Sequence, residues 1–255
     1  MSKEFPNIDL SQKEQIEIDF WKNSPKENPA EFSRGNFLNK TREARQFNYK
    51  INRHKKVFRK KKNILELGAG QGWASCYLKK FLLPNSHFTV TDISIYAIES
   101  LPYWEKVYDV KIDNKLACKS YKVPLRDASF DLIFCYAAAH HFVKMDETIK
   151  ECQRLLMPGG QMIFLYEPTC SRFLYPLHYK YVNTAAHNTP EDVLIPVEIE
   201  KLARKHKFKF VNRYDAHQTL IRSIPVHLYF RFLKALPFLQ RILPSSSDLV
   251  FTKAN

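Results

Sequence analysis

The segment Glu66-Leu67-Gly68-Ala69-Gly70-Gln71-Gly72 follows a short apolar stretch and precedes a run of helical composition. Glycines at such a place let the backbone turn tightly and approach a ligand with no Cβ in the way. Asp92 stands 24 residues after Gly68, at the end of the next apolar stretch. A carboxylate there can accept hydrogen bonds from a ribose diol. A dinucleotide fold would prefer G-x-G-x-x-G, but the sixth position here is Trp73, which is too large for that packing role. Further on, Ala137-Ala138-Ala139-His140-His141 lies just past a predicted strand. A histidine at that edge has the ordinary pKa of a general base, with helix capping as the alternative role. Tyr166-Glu167-Pro168 ends the following strand. Glu167 there could contact substrate, act as a base, or simply hold Arg172 or a backbone amide. Arg172, Tyr175, His178 and Tyr179, followed by Tyr181 and His187, suit ring stacking on a sugar or half-buried packing equally.

The elements that must position these groups alternate. Predicted strands cover 63–67, 87–91, 109–117, 130–136 and 161–166, with helices at 74–83, 96–103 and 146–156 between them. The last helix is stopped by Met157-Pro158-Gly159-Gly160. Strands and helices at this spacing mean βαβ units and a parallel sheet covered on both faces. A helix at 191–206 and strands at 208–214 and 248–253 follow, while 171–188 reads as a loop or broken helix. Upstream, Ser11-Gln12-Lys13-Glu14 has the form of a capping box for a helix bearing Ile16, Ile18, Phe20 and Trp21, and 41–58 reads as a second, basic helix.

The glycine loop resembles the E-x-G-x-G-x-G signature of class I S-adenosylmethionine-dependent methyltransferases. Two later segments agree at the expected intervals: Val123-Pro124-Leu125-Arg126-Asp127-Ala128-Ser129-Phe130-Asp131 and Glu151-Cys152-Gln153-Arg154-Leu155-Leu156-Met157-Pro158-Gly159-Gly160. The resemblance covers about residues 60–168 and is closest to the "type 11" group of mostly small-molecule methyltransferases. It implies an α/β fold: a Rossmann-like, doubly wound seven-stranded sheet of order 3-2-1-4-5-7-6 with strand 7 antiparallel. The cofactor implied is S-adenosyl-L-methionine. Glu66 would organise the loop, and Gly68, Ala69, Gly70, Gln71 and Gly72 would lie under the methionine end. Asp92 would hold the ribose, with Ile93 beside the adenine and Cys135 lining the pocket. The family often has an acid near the adenine amine. That position is Lys119 here, so Ser120 or a backbone group would have to serve.

Composition bounds the rest. The chain has 255 residues and a formal net charge of +14. Residues 34–62 hold twelve basic groups against Glu43 alone. Such a run can face an anionic partner or can be a solvated lysine-rich surface. Five scattered cysteines, none in a C-x-x-C pair, argue against disulfides and a zinc site, so no metal is expected. MSKEF at the start lacks an apolar signal core and no 18-residue apolar run exists, so a cytoplasmic chain is expected. The 215–247 insertion is too apolar for an ordinary loop. His227, Arg231, Lys234 and Arg241 share an arc of about 80° on a helical wheel, and Pro237 should split the segment into two helices. A lid, a dimer contact, or peripheral membrane contact through 223–244 are its three readings.

The organisation expected is a basic helical cover over 1–62 and a methyltransferase domain over 63–255, with a substrate loop at 171–188. The function expected is methyl transfer to a small or lipid-linked acceptor, most narrowly O-methylation of a sugar, glycan or glycolipid precursor, with His140 or His141 as base. The alternatives are C- or N-methylation of another small metabolite, an RNA methyltransferase, and a non-catalytic cofactor-binding protein. The motifs of cytosine-C5 and base-amino methylation are absent, which weighs against nucleic acid.

Overall fold

The computed structural model describes residues 10–24, 33–184, 191–219 and 223–254. Strands β1 (Asn63–Leu67), β2 (His87–Asp92), β3 (Asn114–Ala117), β4 (Phe130–Tyr136), β5 (Leu156–Thr169), β6 (Phe208–Tyr214) and β7 (Ser245–Lys253) form one sheet. Its order is β3-β2-β1-β4-β5-β7-β6. The first five strands pair in parallel, and β7 runs antiparallel to both β5 and β6. Helices α1 (Leu10–Asn23), α2 (Arg34–Arg53), α3 (Lys55–Phe58), α4 (Trp73–Phe81), α5 (Ile95–Glu99) and α6 (Leu101–Tyr108) precede β3. Helices α7 (Met145–Leu155), α8 (Tyr175–Thr184), α9 (Pro196–Lys205) and α10 (Ile224–Ala235) follow β4.

The central strands β1, β2, β4 and β5 are buried on both faces because their side chains alternate between two cores, whereas the edge strands β3 and β6 are largely open to solvent. Ile64, Phe88, Leu132, Phe134 and Ile163 pack with Phe47, Trp73 and Trp104 on one side. Leu65, Ile133, Cys135, Met162 and Phe164 pack with Ile149, Leu155 and Ile199 on the other.

Four local expectations change. Helix α1 begins at Leu10, so Ser11 lies inside it and is no N-cap. Met157-Pro158-Gly159-Gly160 does not separate helix from strand, because β5 already starts at Leu156 and a register shift against β4 between Phe130 and Leu132 absorbs the irregularity. Residues 175–184 are a regular helix. His187 lies outside the described residues. Pro237 does end α10 early and opens a 3₁₀ turn, Pro237–Arg241, so Arg241 leaves the helical stripe of Arg231 and Lys234.

The basic run is divided between surface and core. Arg42, Arg45, Lys55, Lys56, Arg59 and Lys60 are exposed, but Lys50 is fully buried. Its Nζ lies 2.9 Å from Asp215 and 3.0 Å from Asp248. His54 Nε2 lies 2.8 Å from the other Asp248 oxygen. Burial by itself would raise Asp248, but the His54 bond and the Lys50 charge hold it below the usual carboxylate range. This cluster ties α2 to the β6–β7 end of the sheet. Lys50→Met should destabilise the fold by about 3–5 kcal/mol, because two carboxylates stay buried without their cation. A urea-unfolding midpoint unchanged from wild type would contradict that account.

Candidate active site

Gly68, Gly70 and Gly72 have φ of +61°, +53° and +75°, so the loop from β1 to α4 needs the left-handed region three times. Space is limiting as well. A Cβ on Gly72 would come within 2.4 Å of Leu101, and one on Gly70 within 3.0 Å of the Trp21 indole. Trp21 therefore lies directly on the glycine loop, and α1 roofs it.

Glu66 is buried behind the loop. Its Oε2 accepts from the Ser75 amide at 3.2 Å and from the Ser75 hydroxyl, which anchors the first turn of α4. Burial pushes its pKa up to about 8 against those two bonds. Asp92 accepts from Gly70 N–H at 2.8 Å through one oxygen and from Ser94 N–H at 2.9 Å through the other. Burial raises it to about 6, although both amides oppose the shift.

Two cavities adjoin at this loop. The inner one, about 240 Å³, is lined by Gly68, Gly70, Asp92, Ile93, Ser120, His141 and the α1 residues Glu14, Glu17 and Trp21, among others. The outer one, about 830 Å³, is bounded by Ala69, Gln71, Tyr136, His140, Tyr166, Tyr181, Asp192 and Phe230. Gly68, Gly70, Ala137, His141, Glu191 and Trp21 belong to both walls.

The histidine pair sits in a 3₁₀ turn, Ala139–His141, at this junction. The turn is pinned by Glu167, whose side chain is fully buried. Oε1 accepts from Ala138 N–H and Ala139 N–H, each at 3.0 Å. Oε2 accepts from His140 N–H at 3.2 Å and meets His140 Nδ1 at 2.8 Å. Burial would raise Glu167, but the His140 bond and charge and the two amides hold it below the usual range. Burial would likewise lower His140, yet Glu167 and Glu191 outweigh it and push it up to about 10. Both His140 ring nitrogens are thus engaged, Nε2 with Glu191 at 3.2 Å. His141 is more open, with Nδ1 2.9 Å from Glu17 and Nε2 3.8 Å from Glu191.

The sequence-predicted residues separate accordingly. Gly68, Gly70, Asp92, Ile93, Ser120 and His141 converge on the inner cavity, and Ala69, Gln71 and His140 on the outer. Gln71 is also spoken for, since it accepts from Asn36 and from the Trp104 indole, each at 3.1 Å. Cys135 lines neither cavity: strand alternation turns it into the core, 3.6 Å from Glu167. Glu167 is the anchor of the turn and not a surface that substrate can reach, and its partners are backbone amides and His140. Arg172 instead pairs with Glu198, 3.3 Å away. Tyr175 donates to Asp192 at 2.9 Å, while His178 stacks on Tyr181. None of Arg172, Tyr175, His178 or Tyr179 is on the wall of either cavity, and α8 offers Tyr181, Val182 and Thr184 there.

Nothing in the sequence pointed Glu14, Glu17 or Glu191 to this site, and Glu14 figured only in the capping-box pattern. Glu14 accepts from Lys119 and Tyr121, each at 2.6 Å, so an acid does stand at the place where the strand-3 end lacks one, delivered by α1. Only the tertiary packing of α1 brings it there.

Residues 65–164 match a family model described as a methyltransferase domain. A polyketide synthase-nonribosomal peptide synthetase of Phaeosphaeria nodorum is 33% identical over 113 residues, which is 40% of this chain and 3% of that protein. Dimethylglycine N-methyltransferase of Parasynechococcus marenigrum is 31% identical over 104 residues, 40% of this chain and 36% of that protein. This chain thus spans only a small part of those relatives. Geranyl diphosphate C-methyltransferase of Streptomyces coelicolor, solved with S-adenosyl-L-homocysteine, matches the fold at a TM-score of 0.64 and 11% identity, over 84% of this chain and 79% of that one. Residues 65–164 thus match a methyltransferase domain, and the sheet order sets the glycine loop and Asp92 at the carboxyl edge of the parallel strands, where open α/β sheets bind their ligands.

If Asp92 holds the ribose, its ionised form would accept from the diol and its protonated form would lose that acceptor. S-adenosylmethionine affinity should therefore fall as pH drops through about 6. Asp92→Asn should bind more weakly by about 1–3 kcal/mol at neutral pH and lose this pH dependence. Titration calorimetry at pH 5 and pH 8 checks both.

Proposed function

We propose that the protein transfers the methyl group of S-adenosylmethionine to a small or lipid-linked acceptor held in the outer cavity, most narrowly a hydroxyl of a sugar, glycan or glycolipid precursor. The observation that carries this reading is the meeting of the two cavities at Gly68, Ala137 and His141. A cofactor lying on the glycine loop would present its sulfonium methyl to whatever occupies the larger space. The glycine loop, Asp92, Ile93 and Ser120 would bind that cofactor, and Trp21 would exclude water from it. The reaction itself is a displacement at carbon, so the protein's task is to position the acceptor and receive its proton. His141 is the better-placed base, since it borders both cavities while His140 is engaged at both nitrogens.

The outer wall suits an amphipathic acceptor. Tyr136, Tyr166, Tyr181 and Phe230 offer ring faces, and His227 and Ser246 offer polar atoms. His227 Nδ1 and Ser246 Oγ are buried with no hydrogen-bond partner among the described residues. The helices beside this cavity, α8 and α10, expose Leu177, Tyr181, Ile224 and Leu228, with Arg231 and Lys234 nearby. A basic, apolar rim of that kind supports peripheral contact with an anionic lipid surface. No helix among the described residues is long and apolar enough to cross a membrane. The names of the relatives favour C- or N-methylation of a small metabolite as the second reading.

Transfer of labelled methyl into host extract, fractionated into organic-soluble, small polar, polysaccharide and nucleic-acid pools, tests the acceptor class. Gly70→Arg serves as the blank, because a side chain there enters the space of Trp21 and the cofactor. Label in the organic or polysaccharide pool is expected. Label in small polar metabolites alone would favour the second reading, and label in nucleic acid would overturn both. His141→Ala should lower the rate by on the order of 10²–10⁴ with cofactor affinity intact. An unchanged rate would remove it as the base.

A further inference from the structure

His140, His141 and Glu191 come from two separate stretches of chain and meet on the wall of the outer cavity. One donor atom from each can be chosen so that all lie within 4.8 Å of one another. The Nε2 atoms of both imidazoles lie 3.2 and 3.8 Å from the same carboxylate oxygen, Glu191 Oε2. Donors bound tetrahedrally at 2.0–2.1 Å from a zinc ion stand about 3.3 Å apart, so the two pairs through Glu191 are near that spacing and the full set would draw together by about 1 Å on binding.

The far side of each ring is equally telling. His140 Nδ1 rests on the buried Glu167 at 2.8 Å, and His141 Nδ1 faces Glu17 at 2.9 Å. A metal-ligating histidine characteristically gives its other ring nitrogen to a carboxylate, which fixes the tautomer and makes the ligating nitrogen more basic. His140 has that backing as a hydrogen bond, whereas His141 has a carboxylate close by that its Nδ1 does not bond, and the remaining nitrogen of each ring lies near Glu191. The Glu167 anchor makes the site built and not incidental, because the same carboxylate fixes the backbone of the turn on which both rings ride.

We propose that His140, His141 and Glu191 bind a divalent first-row transition-metal ion, with Zn²⁺ as the best match to two imidazoles and one carboxylate. Three protein ligands with a fourth position left to water or substrate is the catalytic kind of zinc coordination, whereas structural sites are closed by four protein ligands. The fourth position would belong to the outer cavity, which all three residues line. An acceptor oxygen could occupy it, and the ion would orient and polarise that oxygen. The binding claim stands apart from the identity of the acceptor, since the ligands alone define it.

The full chain, stripped with EDTA and dialysed against Zn²⁺, should retain one ion per chain by plasma emission spectroscopy. With Co²⁺ in its place, the visible d–d bands of a four- or five-coordinate site should appear. Glu191→Gln and His141→Asn should each weaken Zn²⁺ by more than about 100-fold, and Glu17→Gln, which touches only the back of His141, by about 10–100-fold. His206→Asn, at a histidine 2.6 Å from Asp146 and far from the cavity wall, should leave the affinity unchanged. Glu191 is partly exposed, so its isosteric variant should stay folded, and far-ultraviolet circular dichroism verifies this. Absence of stoichiometric Zn²⁺, or equal retention by the Glu191→Gln, His141→Asn double variant, would overturn the site. Methyl transfer adds a separate readout: with the ion bound, His141 is a ligand in place of the free base proposed above, so activity is lost to EDTA and regained with Zn²⁺, while a free histidine base is indifferent to the chelator.

Discussion

A single buried carboxylate organises the reactive end of this protein. Glu167 is removed from water at the end of β5, and an isolated charge there would be strongly unfavourable. It persists because three backbone amides and the Nδ1 of His140 surround it. The arrangement works in both directions. The amides stabilise the charge, and the charge holds the 138–140 backbone in a turn whose preceding residue, Ala137, adopts a φ of +48°. Both histidines are then delivered to the point where the two cavities meet. Remove the carboxylate and the turn has orphaned amides, His140 loses its orientation, and the wall between the cavities loses its shape.

The sheet supplies the platform for that interaction. Parallel pairing of β4 with β5 aligns Cys135 with Phe164 and Tyr136 with Leu165, so β4 ends opposite Leu165 while β5 runs on to Thr169 and carries Glu167 beside the turn that follows β4. The β6–β7 hairpin backs β5 from the other side and is tied to the N-terminal helices by Lys50, Asp215, Asp248 and His54. Tyr166 joins the two regions, since its amide donates to Asp248 at 3.0 Å and its ring lies in the outer cavity. The buried charges at one end of α2 and the wall of the outer cavity are therefore linked through one residue of β5.

Helix α1 completes the inner cavity from outside the sheet. It brings Trp21 onto Gly70, Glu14 to Lys119 and Tyr121, and Glu17 to His141. These contacts close the loop edge that an open α/β sheet leaves exposed at its carboxyl ends. They also mean that the environment of His141 depends on a helix more than a hundred residues away in sequence.

The local patterns were legible because they are short-range. The alternation of strands and helices, the glycines demanded by three left-handed backbone positions and the acid ending β2 are set by neighbouring residues, and so was the break at Pro237. These were enough to read a parallel α/β sheet with a ligand loop after its first strand, while the strand order came with the family resemblance. The facing of side chains was not legible where two faces are equally apolar. Cys135 reads the same whether it lines a pocket or fills the core, and strand register alone turned it inward. The aromatic run 172–179 was equally ambiguous, and the helical phase of α8 sent Tyr181 to the cavity in place of Tyr175 and Tyr179. Lys50 looked like one more solvated cation until two distant aspartates enclosed it. Glu14, Glu17 and Glu191 are ordinary surface acids by type. Folding brought them to Lys119 and the histidine pair, because long-range packing determines which charges are desolvated together, and no local pattern encodes that.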